Sequence, residues 1–410
     1  MKPHITKLQK LDYMKKFSCI ADRCPQTCCS GWTITIGKKN DRAYRSCTDS
    51  EIQKIANTSI RRLKNNRSSD RYSEIGLKTT DGSCAFLQDD KLCLIQARLG
   101  EEALSSTCSD YPRLELPLGE AKLQIGTLSC PEAARLSLLD DQAMFLDGQK
   151  ISDICRQALN EPIDRISSIK FLYLSSLALM EDERFDLRTA VLIYGMALKK
   201  LMDEPKTSFK GGQRFEEFSS IISSVIALMS SNEVGTEQAT ETIKFQLNSI
   251  FPLLLRYTRN HIENIRFRDS VMQAVVGLGI DKNDLDLSAA AYNEAALSLG
   301  NYDKKIIQNA MSNYFVNDML KQQILLQRNA KTATNAITAT VTRLAVSNLI
   351  FIGMLAHSPE SSVSDLLVKA VSVVGRTFDH TGTIHDELAE YINEIDSNSL
   401  AVLTLVTPIV

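Results

Sequence analysis

Cys19-Ile-Ala-Asp-Arg-Cys24-Pro25-Gln-Thr-Cys28-Cys29-Ser-Gly31-Trp32 packs four thiols into one short stretch, and Cys47, Cys84, Cys93, Cys108 and Cys130 follow before the last cysteine, Cys155. Thiolates are soft, strongly coordinating ligands, so this crowding points to a bound metal or iron-sulfur cluster. Short intervals let a single loop present two or three sulfurs, and a further ligand can arrive from a distant segment. Pro25 stiffens the loop, and Gly31 permits a positive φ where the chain must turn. Adjacent cysteines rarely aim at one ion, which makes one of Cys28 and Cys29 a candidate packing residue.

Outward from this loop, the chain changes character near Asp140. From Met1 to about Asp140, short apolar runs alternate with Gly, Ser, Asn and Asp clusters. Trp32 to Ile36 reads as a brief strand by alternation and β-branching, and Ser50 to Asn66 as an amphipathic helix leading into a polar loop over Asn65 to Asp70. Leu92 to Leu104 has helical spacing with Gly100 as its weak point, which puts Cys93 in or at the start of a helix and Cys108 in the turn behind it. Pro112 disfavours a helical Tyr111, so Ser109 to Arg113 is predicted extended or turned. These few elements cannot fill a large core, and a bound cofactor would help to hold them together.

Beyond about Arg135, long apolar runs recur at helical spacing: Ile169 to Met180, Leu187 to Met202, Phe215 to Met229, Glu241 to Ile262, Asp269 to Val276 and Ala289 to Leu299. Lys305 to Ala356 comes next, with a break predicted near the Thr-rich Lys331 to Thr342, and then Ser364 to Thr377 and Ile384 to Ile395. The predicted fold is mainly α. An irregular, cysteine-rich, cluster-binding domain with little β covers residues 1–140, and a large all-helical domain for substrate recognition covers 141–410.

A chain of 410 residues with 47 Lys+Arg against 49 Asp+Glu carries no global positive field, which argues against nucleic acid as a partner. The first 18 residues are basic but lack a continuous apolar region and a cleavage site, so no secretory signal is read there. The most apolar later stretch, Leu344 to Ala356, is interrupted by Ser347 and Asn348 and reads as a buried helix, with no membrane insertion. A cytoplasmic protein is expected, and in that reducing compartment clustered cysteines favour metal ligation over disulfides.

The full set of motifs is Cys19-x4-Cys24-x3-Cys28-Cys29-x2-Trp32, Cys84-Ala-Phe86-Leu87, Leu92-Cys93-Leu-Ile95-Gln96, Leu99-Gly100-Glu101 and Cys108-Ser-Asp-Tyr111-Pro112-Arg113. As a set it resembles the flagellin lysine-N-methylase family. The resemblance runs over about Lys15 to Cys130. It implies an enzyme that transfers methyl groups from S-adenosylmethionine to lysine side chains of flagellin and carries a 4Fe-4S cluster. Its candidate metal ligands are Cys19, Cys24, Cys28, Cys29, Cys84, Cys93, Cys108 and Cys130, more than one such cluster needs, and which four serve stays open. Cys47 and Cys155 fall outside the shared elements and are assigned to packing.

Spacing does not choose between zinc and iron. The two-residue knuckle of zinc sites is missing, and so is the C-x3-C-x2-C run of radical enzymes. A zinc-held interaction module and a redox sensor are the competing function classes. A Rossmann-type cradle for S-adenosylmethionine is also missing, because Val275-Val-Gly277-Leu-Gly279-Ile-Asp281 lacks the third glycine and reads as a helix end leading into a loop. His380-x4-His385 reads as a capped helix start rather than a metal pair. Lysine is a nucleophile only when neutral, so the site must take up a proton; Tyr111 and Asp110, close to Cys108, are conceivable acceptors.

Overall fold

The computed structural model describes residues 7–158 apart from 32–33, 66, 81 and 119–120, then 177–179, 189–191, 193, 220, 223–224, 236–260, 265–322 and 330–379. The helical readings over 169–180, 187–202, 215–229 and 384–395 fall wholly or largely outside these residues.

The front portion is richer in strands than its composition suggests. β1 (Leu8–Lys10) runs parallel to β6 (Ala121–Gly126), which forms a hairpin with β5 (Arg113–Leu118). β2 (Ile34–Ile36), β4 (Ser73–Ile75) and β3 (Ile60–Arg62) make a second small sheet, and β7 (Phe145–Leu146) pairs with β8 (Gln149–Lys150). Of the predicted strand, Trp32 and Thr33 lie outside the described residues.

After α1 (Asp12–Lys16) and α2 (Lys38–Arg45), the expected helix from Ser50 is α3 (Ser50–Ser59), started by Asp49, whose carboxylate accepts from the amides of Glu51 and Ile52. It stops early. Ile60 turns into β3 opposite Ile75, and Gly76 lets Ser59 approach so closely that a Cβ there would sit 2.8 Å from the Ser59 carbonyl oxygen. Pairing with β4 overrides the helical spacing of Ile60 and Leu63, and places Arg61 and Arg62 on an exposed strand. The next helix, α4 (Leu94–Leu99), ends at Gly100 with φ of 83°, as the weak point at that glycine implied.

The mainly α character comes from the rest of the chain. α6 (Pro131–Leu139) and α7 (Ile151–Ala158) precede six long helices: α8 (Thr236–Asn260), α9 (Ile265–Gly277), α10 (Leu285–Ser298), α11 (Asn301–Lys321), α12 (Ala330–His357) and α13 (Val363–Phe378). The Thr-rich stretch is helical throughout. Buried Thr340 donates to Asp318 at 2.5 Å and to the Ala336 carbonyl, and Thr342 donates to the Thr338 carbonyl, so their hydroxyls are satisfied without breaking the helix. Thr338–His357 is apolar and long enough to cross a membrane, but 94% of it is buried in the protein. α9 and α12 cross at Gly277 and Gly353, where a Cβ on Gly277 would overlap the Gly353 carbonyl oxygen. Gly277 ends its helix and Gly279 lies just beyond it in the left-handed region, the helix end read from the sequence.

Among the described residues, two apolar cores result. The smaller gathers Ile34, Ile36, Tyr44, Ile52, Phe86 and Leu94 around the second sheet. The larger draws on both sides of Asp140: Leu11, Tyr13, Leu123 and Ile125 pack with Phe267, Phe315, Leu349 and Phe378. A polar clasp fastens that join. The buried Tyr13 hydroxyl receives the Gly126 amide at 2.5 Å and donates to Asn317 Oδ1 at 2.7 Å, while Asn317 Nδ2 donates to the Gly126 carbonyl.

Candidate functional site

The cysteine loop is shaped by its own backbone. A 3-10 turn over Ala21–Arg23 leads into Cys24, whose thiol donates to the Gln26 carbonyl at 3.0 Å, and Thr27 Oγ1 accepts the Cys29 amide. Gly31 takes a φ of 77°, the positive value the sequence implied, and donates to the Gly82 carbonyl. The Cys84 amide donates to the Cys29 carbonyl at 2.6 Å, tying the second motif to the first. Cys93 stands at the N-cap of α4 and pairs through an isolated bridge with Leu87. Cys108 lies within a short helix, α5 (Ser106–Asp110), rather than in a bare turn, and Cys130 caps α6.

The candidate thiols fall into two sets by which of them act on one another's ionisation. Burial, and then the charges of Cys108 and Cys93, push the Cys84 thiol up to about 12. Burial and the charges of Cys93 and Cys28 push Cys108 up to about 11. Cys29 is raised by its hydrogen bond to Cys28, by burial and by Cys28, Cys84 and Cys93. Cys29, Cys84, Cys93 and Cys108 therefore form one set, packed on the smaller core. Cys130, pushed up to about 12 chiefly by burial, senses Cys24 and Cys28, and Cys24 in turn senses Cys28 and Cys19. These four are the second set, with Cys19 the exposed member.

Cys28 joins the sets and behaves differently from the rest. The hydrogen bond from Cys29, aided by the charge of Arg376, draws its thiol below the ordinary value in spite of burial. The remaining two cysteines pack as expected: Cys155 is buried in the larger core, and Cys47 lies against the smaller one with its sulfur accepting the Asp49 amide. As they stand, no three Cys, His, Asp or Glu side chains among the described residues are close enough to hold a metal ion. The donors nevertheless suit a thiophilic centre in kind and number, because groups that oppose each other's ionisation are relieved by a shared cation.

α13 supplies the residue that sequence reasoning missed. Arg376 is 4% exposed and donates from Nη1 to the carbonyls of Thr27 at 2.6 Å and Ser30 at 3.4 Å, and from Nη2 to that of Ser129 at 3.4 Å. Gly375 makes this reach possible, since a Cβ there would come within 3.0 Å of the Ser129 amide nitrogen. The available signal was one arginine inside the apolar run Val371 to Phe378. Arg266 on α9 lies near Arg376 and Cys24; burial and the like charge of Arg376 hold its pKa below the guanidinium range.

Beside Cys130 runs a chain of polar groups. The Tyr111 hydroxyl lies 3.2 Å from Ser129 Oγ, Ser129 lies 3.0 Å from Thr127 Oγ1, and Thr127 donates to Asp379 Oδ2 at 2.9 Å. Asp379 ends the chain against Lys321 at 2.5 Å and Arg343 at 3.5 Å, and Arg343 also pairs with the buried Asp318. Although burial opposes it, the Lys321 and Arg343 charges hold the Asp379 carboxyl below the usual carboxylate range. Burial raises the Tyr111 phenol well above its ordinary value, which keeps it protonated and makes it a poor lone base. Asp110 is exposed at the end of α5. His380 and His385 lie outside the described residues. A separate groove of about 680 Å³ between Asp140, Gln142, Tyr302 and Lys305 has no cysteine in its lining.

Comparison with known proteins agrees with the motifs. The chain is 37% identical over 138 residues to the flagellar biosynthetic protein FliU of Salmonella muenchen, covering 34% of this chain and 80% of that protein. It is 37% identical over 139 residues to the lysine-N-methylases of Salmonella typhimurium and Salmonella choleraesuis, and the match spans only 34% of the length of each. No solved structure matches. The family model of the FliB lysine N-methylase C-terminal domain matches residues 174–406, more than half of the chain. The chain belongs to the FliB lysine N-methylase family.

Proposed function

We propose that this chain is a cytoplasmic protein-lysine N-methyltransferase that moves methyl groups from S-adenosylmethionine to lysines of flagellin, using a 4Fe-4S cluster held by four of the eight grouped cysteines. The observation that carries the reading is the family match, a family named for lysine N-methylation, and the eight cysteines of the motifs, several of which act on one another's ionisation, are what supports a cluster. When bound, a cluster would supply polarised iron that anchors polar groups of the methyl donor.

The protein's own residues would do the rest. A target lysine, with an ordinary pKa near 10.4, must lose a proton before its nitrogen can displace the methyl group from sulfonium. The chain from Tyr111 through Ser129 and Thr127 ends on the ionised Asp379, which fixes the orientation of these hydroxyls beside Cys130, and the amine's proton would leave to solvent as the lysine enters the site. The helical region would bind and orient folded flagellin, so that amine and methyl meet at reacting distance.

Mass spectrometry of flagellin incubated with anaerobically purified protein and labelled S-adenosylmethionine tests the proposal. The expected result is label on lysine. Iron-loaded protein that leaves flagellin unlabelled would exclude the reaction, and colourless protein with stoichiometric zinc would favour a metal-held interaction module.

A further inference from the structure

The run Arg61-Arg62-Leu-Lys64-Asn-Asn-Arg67-Ser-Ser-Asp70-Arg71-Tyr72 carries five cations and one acid. On a continued helix these charges would spread around the axis, but the chain leaves α3 before Ile60 and folds back through β3. The loop that follows is pinned at its ends. The Leu63 amide donates to the Tyr72 carbonyl at 3.1 Å, the Tyr72 amide to the Ile36 carbonyl at 2.9 Å, and the Lys38 amide to the Ser69 carbonyl at 2.7 Å. Inside the loop, the Ser68 amide donates to the Arg71 carbonyl and the Arg71 amide to the Ser68 hydroxyl.

This fold-back gathers charge from three places onto one ring. Arg67 Cζ lies 5.3 Å, Arg62 Cζ 5.7 Å and Lys38 Nζ 5.8 Å from the centre of the Tyr72 ring, and all three residues are exposed. Among the described residues, none of the three takes part in an ion pair or spends a head-group donor on a hydrogen bond. The acids of this region are placed elsewhere. Asp41 is buried against Arg45 and Ser73, Asp70 accepts the Ser69 hydroxyl, and Glu74 stands opposite Arg61, on the face of the sheet away from Arg62.

The face of an aromatic ring attracts each cation weakly, and their mutual repulsion remains. A surface shaped for solubility alone intersperses acids among its bases. A guanidinium with its donors free matches a carboxylate bidentately. The chain as a whole, with 47 basic against 49 acidic residues, lacks the broad field that draws in a long polyanion, so a compact group of carboxylates fits this patch better than nucleic acid does.

We propose that Lys38, Arg62 and Arg67, gathered on Tyr72, form a docking surface for a carboxylate-rich face of the protein substrate. This rests on the reading that the chain acts on flagellin, and it gives the front portion a hold on the substrate that is separate from the thiols.

The test compares full-length wild type with the triple variant Lys38→Gln, Arg62→Gln, Arg67→Gln. A second triple variant, Lys7→Gln, Lys10→Gln, Lys282→Gln, removes the same charge from exposed positions that do not touch the Tyr72 ring. Affinity for purified flagellin is measured without methyl donor at low and high salt, with poly-L-glutamate as competitor, and label transfer from S-adenosylmethionine is followed separately. At low salt the patch variant should bind flagellin about tenfold more weakly than wild type and lose most of the salt dependence, because the attraction is a screened electrostatic one. The control variant should stay within about twofold of wild type, since it leaves the local complementarity intact. Poly-L-glutamate should displace flagellin from wild type and barely affect the patch variant. Equal affinity of wild type and patch variant would overturn the surface, as would equal losses in the two variants. A patch variant that loses only binding to duplex DNA or to anionic vesicles would overturn it too, as would wild type that binds no flagellin. Wild type that binds flagellin through these residues yet transfers no label would defeat the methylation reading and leave the surface standing.

Discussion

The two thiol sets differ in who builds them. Cys29, Cys84, Cys93 and Cys108 rest on a core made within residues 29–108, where Ile34, Tyr44, Ile52 and Phe86 supply an apolar bed and the charge of Lys78 acts on Cys84. Cys24, Cys28 and Cys130 lie at the seam between the front sheet and the long helices, where Arg376, Arg266 and the chain ending at Asp379 converge. One set is local; the other exists only while distant segments stay docked. A seam can therefore connect the packing of the helices to the state of the sulfurs, and perturbing it should affect one set before the other.

The largest effect is expected from Asp318→Ala. It strands Arg343, which is 1% exposed at its side chain and pairs with Asp318 and, more distantly, Asp379. Breaking a buried pair from one side costs about 3–5 kcal/mol. Urea unfolding should register that loss, and alkylation coupled to mass spectrometry should find Cys24, Cys28 and Cys130 exposed well before Cys84 and Cys93. Equal acceleration at all of them would erase the distinction between the sets.

Asp379→Asn should cost about 1.5–3 kcal/mol at neutral pH, the range for hydrogen bonds to a charged group. Its pH signature is specific. A carboxyl depressed in the folded state adds stability above its unfolded pKa of about 3.9, and that stability is lost as pH falls through the lower folded value. The wild-type protein should therefore weaken between about pH 4 and the depressed pKa, and the Asn variant should lack that component. Parallel acid titrations of both would contradict the assignment.

Tyr13→Phe comes next. It removes the hydroxyl shared by the Gly126 amide and Asn317 Oδ1 and leaves the buried amide short of its acceptor, for about 1–2 kcal/mol. The same alkylation order, in milder form, is the expected readout.

The sequence announced the thiols, the long helices and the glycine-ended helices, because periodicity and ligand chemistry are local properties. Partners across the fold were not legible. β5 carries Pro117, which argues against a strand, and is tolerated because β5 is an edge of its sheet in the order β1-β6-β5. Ile60 has helical spacing but is captured by Ile75, and the break expected near the threonines falls just before them, between α11 ending at Lys321 and α12 starting at Ala330. Arg376 lies 348 positions from Cys28, so no spacing rule could join them, and only the odd charge in an apolar run hinted at a buried purpose. Within the site, ligand type was readable, whereas the division into sets depends on which strand carries each sulfur.

Cys47→Ala should have the smallest effect and is the control for the whole comparison. Cys47 shares the smaller core with Cys29, Cys84, Cys93 and Cys108, so proximity to that core alone would make it a ligand too. Its sulfur instead accepts the Asp49 amide at 3.4 Å, next to the turn that starts α3, and its charge is not among the causes that raise Cys29, Cys84 and Cys108. Losing so weak an acceptor in a half-buried position should change stability by less than about 1 kcal/mol, with iron per chain unchanged. Iron lost on Cys47→Ala would place the centre on the smaller core and move the functional weight from the seam to the local set.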